Sequence, residues 1–243
     1  MRYLPIFLSS IAAIATYLPS PVKAQFKPYQ VVSGKESIEL DSDAIATLES
    51  IGLSIESIDN TANPAPGYDF AWSLLPPPTK EGDRGTTFQF LYDEQTDAFA
   101  PLSGTTELTG SFLFDVDQTK LNLGSQLQLG DLSVSFDPNL GFVATDTATT
   151  NLPIFTVNTF SVPSVNLSQQ TWFLEPIDIV FTQEFSDFLV AAGASQSIAG
   201  LKIGEARGDR NFVPVNVPKT PEPVSVLAIL LATGAGLLIT KRS

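Results

Sequence analysis

The chain has 243 residues, with 13 Lys and Arg against 26 Asp and Glu, a formal net charge of −13, no His and no Cys. That inventory excludes a Ser-His-Asp triad, a catalytic thiolate, a disulfide framework and any metal site built on imidazole or thiolate. The acidic balance argues against nucleic acid as a partner, because phosphate binding needs clustered Lys and Arg.

The chain opens with Arg2, an apolar run over 3–18, breaks at Pro19 and Pro21, and the tripeptide Val22-Lys23-Ala24. A positive start, an apolar stretch and small residues at the last and third-last positions predict a secretory signal peptide over 1–24. The Sec translocon would carry it and signal peptidase would cut between Ala24 and Gln25. An uncleaved anchor is the alternative, but as a helix the run is only about 24 Å long, short of a comfortable membrane span. Residues 25–213 then have the length of one domain.

That body reads mostly as strand. Segments 68–75, 86–92, 105–116, 126–136, 154–160, 171–174, 177–181 and 212–217 alternate or are rich in β-branched and aromatic residues, with Gly, Pro, Asn or Asp between them. In 105–116, Leu108, Phe112, Phe114 and Val116 share one parity and Thr109, Ser111 and Asp115 the other, so one face is buried and one is wet. In 126–136 the parity changes between Leu129 and Leu132, which a bulge or tight turn at Gly130-Asp131 would repair. Many short antiparallel segments predict a mainly β fold, an antiparallel β-sandwich.

Two short helices are expected within it. Residues 41–51 carry capping acids at Asp41 and Asp43, apolar positions at Ile45, Leu48 and Ile51, and Gly52 as a stop; residues 184–192 end at Gly193. A shift of 141 positions aligns Ile38 with Ile179, Leu48 with Leu189, Gly52 with Gly193 and Ser54 with Ser195. Each block reads strand, helix, glycine, strand, which fits either a pseudo-duplication or convergent use of one capping solution.

Candidate sites in the body are carboxylates and aromatics. Asp115 and Asp117, like Asp41 and Asp43 or the acids of 93–97, offer oxygen ligands at short spacing for Ca²⁺, though none has the glycine and glutamate positions of a calcium loop, and turn or cap duty is the favoured reading. Tyr68 and Trp72, with Phe70, and Trp172 with Phe173 would make a stacking platform for a glycan; a sandwich core would use the same stripe. No Ser-x-x-Lys spacing occurs, and no acid pair stands out for carboxylate-dependent glycan hydrolysis, which remains the enzymatic alternative.

The C-terminal end is the most specific part of the sequence. Residues 214–223 hold four prolines, 224–240 are uncharged and apolar or small, and Lys241-Arg242-Ser243 closes the chain. This predicts a Pro-rich linker followed by a transmembrane helix and basic tail over 224–243, with Lys241 and Arg242 holding the tail inside and everything before Pro221 outside. Pro221-Glu222-Pro223, the apolar helix and the basic end together resemble the PEP-CTERM sorting tail of bacterial surface proteins. The resemblance implies an exosortase as partner, which reads the motif and releases or transfers the exported body. Two prolines around one carboxylate hold that segment extended, as a protease substrate must be. The order of elements in the body is also similar to bodies carried by PEP-CTERM proteins, and this likeness implies an association with extracellular matrix or exopolysaccharide. A sandwich with two short helices is further similar to HtaA-type haem-binding surface domains, in which Tyr acts with a supporting His; here Tyr29, Tyr68 or Tyr92 would be the ligands, and no His supports them.

Setting aside Arg2, Lys23, Lys241, Arg242 and Glu222 leaves 9 basic and 25 acidic side chains in 25–220, a net −16 against +3 in the flanks. The expected protein is a non-enzymatic domain exported across the inner membrane, held as a single-pass intermediate with its N-terminus outside, then displayed or secreted without a required cofactor.

Overall fold

Alternating parity forces a strand to bury one face, and here the strands bury it by rolling up. The structure, a computed structural model, describes residues 25–137 and 141–215. The expected signal peptide, the sorting motif and the apolar helix of 224–240 lie outside the described residues; among those described, no helix is long and apolar enough to cross a membrane. Strand β1 (Lys27–Leu40) runs into helix α1 (Ser42–Ile51) and β2 (Leu53–Ile58). There follow β3 (Phe70–Ser73), β4 (Gln89–Asp93), β5 (Ala98–Ser103), β6 (Thr105–Glu107), β7 (Ser111–Val116), β8 (Gln126–Gly130), β9 (Ser133–Asp137), β10 (Gly141–Thr145), β11 (Pro153–Thr159), β12 (Ser164–Asn166), β13 (Thr171–Phe181), helix α2 (Gln183–Ala191) and β14 (Lys202–Pro214).

The mainly β, antiparallel fold and both helices are present, but the two layers of a sandwich are not. One 11-stranded sheet runs in the order β5-β4-β1-β14-β13-β11-β10-β9-β6, with β3 also on β1 and β12 also on β13; β2-β7-β8 form a separate sheet of 3 strands. The large sheet nearly closes into a barrel. Its two end strands are one path bent at Gly104, where φ is 81° and an added Cβ would lie 2.3 Å from the Thr87 carbonyl oxygen. Ser103 on one side of the bend pairs with Gln89, and Thr105 on the other with Ser135. The Phe88 N–H donates to Thr105 O at 2.9 Å, joining the edges.

Two breaks convert the expected sandwich strands into this arrangement. Segment 105–116 bends at Gly110 (φ 107°), where an added Cβ would meet the Trp72 ring at 2.2 Å; segment 126–136 bends at Asp131 (φ 47°). The outer halves pair in the barrel, Thr106 with Val134, and the inner halves in the small sheet, Phe112 with Leu129. The parity change anticipated at Gly130-Asp131 is thus a crossing between sheets rather than a bulge. Segments 171–174 and 177–181 do the reverse and fuse into β13. Its buried residues change parity from Trp172 and Leu174 to Ile177 and Ile179, and the register against β14 shifts at that point.

The helices close one pole of the barrel. Asp41 Oδ1 accepts the N–H groups of Asp43 and Ala44 at 2.8 and 3.1 Å, and Thr182 Oγ1 accepts that of Phe185 at 3.1 Å, so the two N-caps are also 141 positions apart. Gly52 (φ 106°) and Gly193 (φ 115°) end the helical turns and abut one shared turn: Asp117 N–H donates to Gly52 O at 2.9 Å and Asn122 N–H to Ala192 O at 2.6 Å. Lys120 Nζ donates to the carbonyls of Glu49 and Ser50 at 3.3 and 3.0 Å, at the negative end of α1. The strand that precedes each helix, β1 or β13, flanks β14 on either side. The internal likeness stops there, because β2 follows Gly52 while 194–200 contain no strand.

Candidate binding cavity

The inward faces of the barrel strands enclose a cavity of about 280 Å³. Its wall is apolar for most of its extent, with Leu40, Phe88, Phe112, Phe155, Ile177 and Ile203 contributed by six different elements or connections. The position of its mouth follows from strand register. Leu40 and Phe181 precede the helices, and Phe181 pairs with Phe155, so that end is closed by α1 and α2. Phe136 and Phe142, paired at the far end of the β9–β10 hairpin, also line the cavity, as do the exposed residues Ser161 and Val162 between β11 and β12. The cavity therefore reaches the surface at the pole opposite the helices.

Within this apolar wall lies one ion pair. Arg210 of β14 and Glu36 of β1 are both buried, and an Arg210 guanidinium nitrogen donates to Glu36 Oε2. The same guanidinium donates to the carbonyls of Lys35 and Asp209 and lies 5.4 Å from the centre of the Trp172 ring. Gly208, two residues before Arg210 and on the same strand face, leaves room for it: an added Cβ there would stand 3.1 Å from an Arg210 nitrogen. Trp172 is 8% exposed, packs edge-to-face on Phe90 and Phe99, and carries a buried indole N–H with no hydrogen-bond partner among the described residues.

Of the residues singled out by sequence, Trp72 and Trp172 line the cavity from its wall, and Tyr29, Tyr68, Phe70, Tyr92, Asp115, Asp117 and Phe173 do not. Trp72 is 1% exposed; its Nε1 donates to Asp59 O at 2.9 Å and its ring packs on Phe70 and Phe112. It offers no face to a glycan, and Tyr68, whose hydroxyl is 3.4 Å from Glu175 Oε2, lies outside β3. The stacking platform at Tyr68 and Trp72 is thereby corrected: the close fit of Trp72 against Gly110 makes that residue core. Trp172 and Phe173, adjacent on a strand, point to opposite faces, and Phe173 lies under Arg207 at 4.6 Å. Asp117 Oδ1 accepts from Thr119 N and Oγ1 at 3.0 and 2.6 Å, which holds its carboxyl below the usual range. Asp115 is exposed on β7; among the described residues no group of three or more acids is arranged to hold a metal ion.

Of the three tyrosines, Tyr29 is stacked on Phe90 at 5.5 Å between ring centres, and the Tyr92 hydroxyl donates to Asp97 Oδ1 at 2.6 Å. That hydrogen bond, with burial and the Asp97 charge, pushes the Tyr92 phenol up from 10.0 to about 12. The folded state therefore favours the neutral phenol, and this contribution to stability is complete below pH 10 and lost as pH rises toward 12. A phenolate absorbance titration of the folded protein is expected to lose its highest-pH step in Tyr92→Phe, and to show that step shifted down in Asp97→Ala. An unchanged curve in both variants excludes this assignment.

No family model matches the chain, and no curated protein does.

Proposed function

We propose that this chain is an exported, non-enzymatic surface or extracellular-matrix protein, processed by an exosortase at Pro221-Glu222-Pro223, whose barrel binds a small molecule. The observation that carries the reading is the ordered tail of motif, apolar segment and basic end, matched by a signal-like start. The geometry of the body supports it. Strands β1 and β14 pair along their lengths to Tyr29 opposite Pro214, and Val215 N–H donates to Pro28 O at 3.0 Å. Both processing signals thus attach at one pole, and removing them leaves every barrel strand intact. At the expected N-terminal cut, the Gln25 nitrogen already donates to Asp93 Oδ2 at 2.9 Å, so the new ammonium would meet a buried carboxylate. Backbone N–H groups, that of Gln95 foremost, hold the Asp93 carboxyl below its ordinary range, which keeps it charged for this contact.

An association with exopolysaccharide belongs to this proposal through the sorting-tail resemblance. The cavity favours a binding body over the glycan-active alternative, because its wall is apolar and its one internal acid, Glu36, is already paired with Arg210. Mass spectrometry of the protein from cells with an active exosortase is expected to find Gln25 first and a C-terminus before Val224. Finding Ser243 on that protein overturns the sorting assignment; finding it only in cells lacking exosortase activity supports it.

A further inference from the structure

We propose that the rim of the barrel mouth is a membrane-docking surface, which seats the body of the protein on a zwitterionic lipid bilayer through Phe136, Phe160 and Val162. The proposal rests on the sorting reading above, since the tail assigned there to the membrane brings this pole to the bilayer.

The exposed large apolar side chains gather at one end of the molecule. Phe26 precedes β1, Phe136 is the last residue but one of β9, Phe160 and Val162 stand between β11 and β12, and Val213 is the last but one of β14. Antiparallel pairing from β1 through β14, β13, β11 and β10 to β9 brings these strand ends to the pole opposite the helices. The helix pole contributes only Val190 to the same set of described residues. Phe160 and Val162, at 66% and 63% exposure, leave most of their side chains in water, a clustering that marks a contact surface. Phe136 and Val162 also line the cavity, so the apolar surface is continuous from the rim into the barrel wall.

What covers the rim follows from where the chain leaves the barrel. Val215, whose N–H donates to Pro28 O, lies at this pole, and eight residues separate it from the apolar segment that begins at Val224. Fully extended, that link spans about 30 Å, so with 224–240 in the bilayer the rim stands no farther than this from the lipid surface. Tethering at so short a range makes docking intramolecular, and a few apolar side chains then suffice to hold it. Charge selects the kind of surface. The net −16 of 25–220 is repelled by anionic headgroups, and at this pole Lys27 is already paired with Glu94. Asp97 and Asp137, at the β4–β5 and β9–β10 turns, add acids there. The rim therefore enters a zwitterionic surface by its apolar side chains, without a basic face.

The chain has no native Cys, so one can be introduced to carry an NBD fluorophore. The full chain, labelled at Ser161→Cys on the rim or at Val190→Cys on α2, is reconstituted into phosphatidylcholine vesicles with brominated acyl chains. The rim label is expected to lose about half of its fluorescence to the brominated lipid, and the α2 label to be unchanged. Phe136→Ser, Phe160→Ser and Val162→Ser combined should abolish that loss while the protein still floats with the vesicles, because the tail holds it. Phosphatidylglycerol in the vesicles should weaken the quenching at low salt, and added salt should restore it. Equal quenching with and without the three apolar side chains overturns the proposal, since the tether alone would account for it. A rim label shielded from aqueous iodide but not quenched by lipid overturns it too, because protein, a second copy included, would then cover the rim. Stronger quenching on anionic vesicles overturns the zwitterionic partner. The sorting reading fails separately: a wild-type chain with a quenched rim label, beside a serine variant that no longer floats, would mean that the rim and not the tail holds the protein.

Discussion

Arg210→Met alone is expected to cost about 3–5 kcal/mol of stability, and Glu36→Leu combined with Arg210→Met to recover most of it. In the native barrel the two side chains are 8% and 11% exposed and compensate each other within an apolar wall. Removing the guanidinium leaves the Glu36 carboxylate facing the Phe and Leu side chains of the cavity, where it must either stay charged without a partner or take up a proton. The single loss is thus larger than the hydrogen bond itself. Replacing both partners removes the unpaired charge, and buried pairs exchanged for apolar groups of similar size are often neutral in stability. The double variant still forfeits the hydrogen bonds to the Lys35 and Asp209 carbonyls and the contact with Trp172, which sets how far recovery falls short. Guanidinium unfolding of the wild type, both single variants and the double variant gives the coupling directly. A double variant as unstable as Arg210→Met would locate the role of Arg210 in its carbonyl and ring contacts instead of in the ion pair.

The ends of the helices were legible because they are local. Asp41 before an apolar periodicity and Gly52 after it specify a cap and a stop within a dozen residues, and the structure places both as read. The barrel was not legible for the opposite reason. Parity identifies a buried face but not the element that covers it, and the decisive features, the bends at Gly104, Gly110 and Asp131, redirect strands between partners distant in sequence. The 14-residue β1 escaped because its polar run 33–37 reads as loop, while pairing with β14 on one side and β3 and β4 on the other holds it extended. The ion pair left a faint trace. Ala206, Gly208, Arg210 and Phe212 share one parity, so a charge stood on a face of small and apolar residues, as Glu36 did with Ile38 and Leu40. Among scattered acids, Asp146 had no such mark. It is fully buried because its carboxylate accepts from Gly130 N, Thr150 N and Thr150 Oγ1 at 2.8, 2.6 and 2.7 Å, tying the small sheet to the β10–β11 turn.

Gly204→Ala should destabilise the protein by upwards of about 3 kcal/mol, although the substitution adds one methyl group. Gly204 lies in β14 between Leu40 of β1 and Ile179 of β13, in an interior strand of the rolled sheet. A Cβ at this position would stand 2.1 Å from the Glu39 carbonyl oxygen and 3.2 Å from Leu40 Cα. Both obstacles are backbone, so no rotamer change relieves the overlap; the strands must separate. Separation there strains the Asp41 N–H to Ile203 O bond of 2.8 Å, which joins the start of α1 to β14, and moves Leu40 and Ile203 in the closed end of the cavity. Backbone entropy alone predicts the reverse sign, because Ala lowers the entropy of the unfolded chain at a conformation it can adopt. Gly124→Ala isolates that term: its Cβ would meet only the Gln126 carbonyl oxygen at an ordinary 3.6 Å, and its expected effect is within about 0.5 kcal/mol. Equal urea midpoints for the two variants would mean that β1 and β14 are not as closely apposed at Gly204 as the barrel requires. A large gap between them places the cost in the close apposition of β1 and β14 at Gly204, where both neighbours of the added Cβ are backbone.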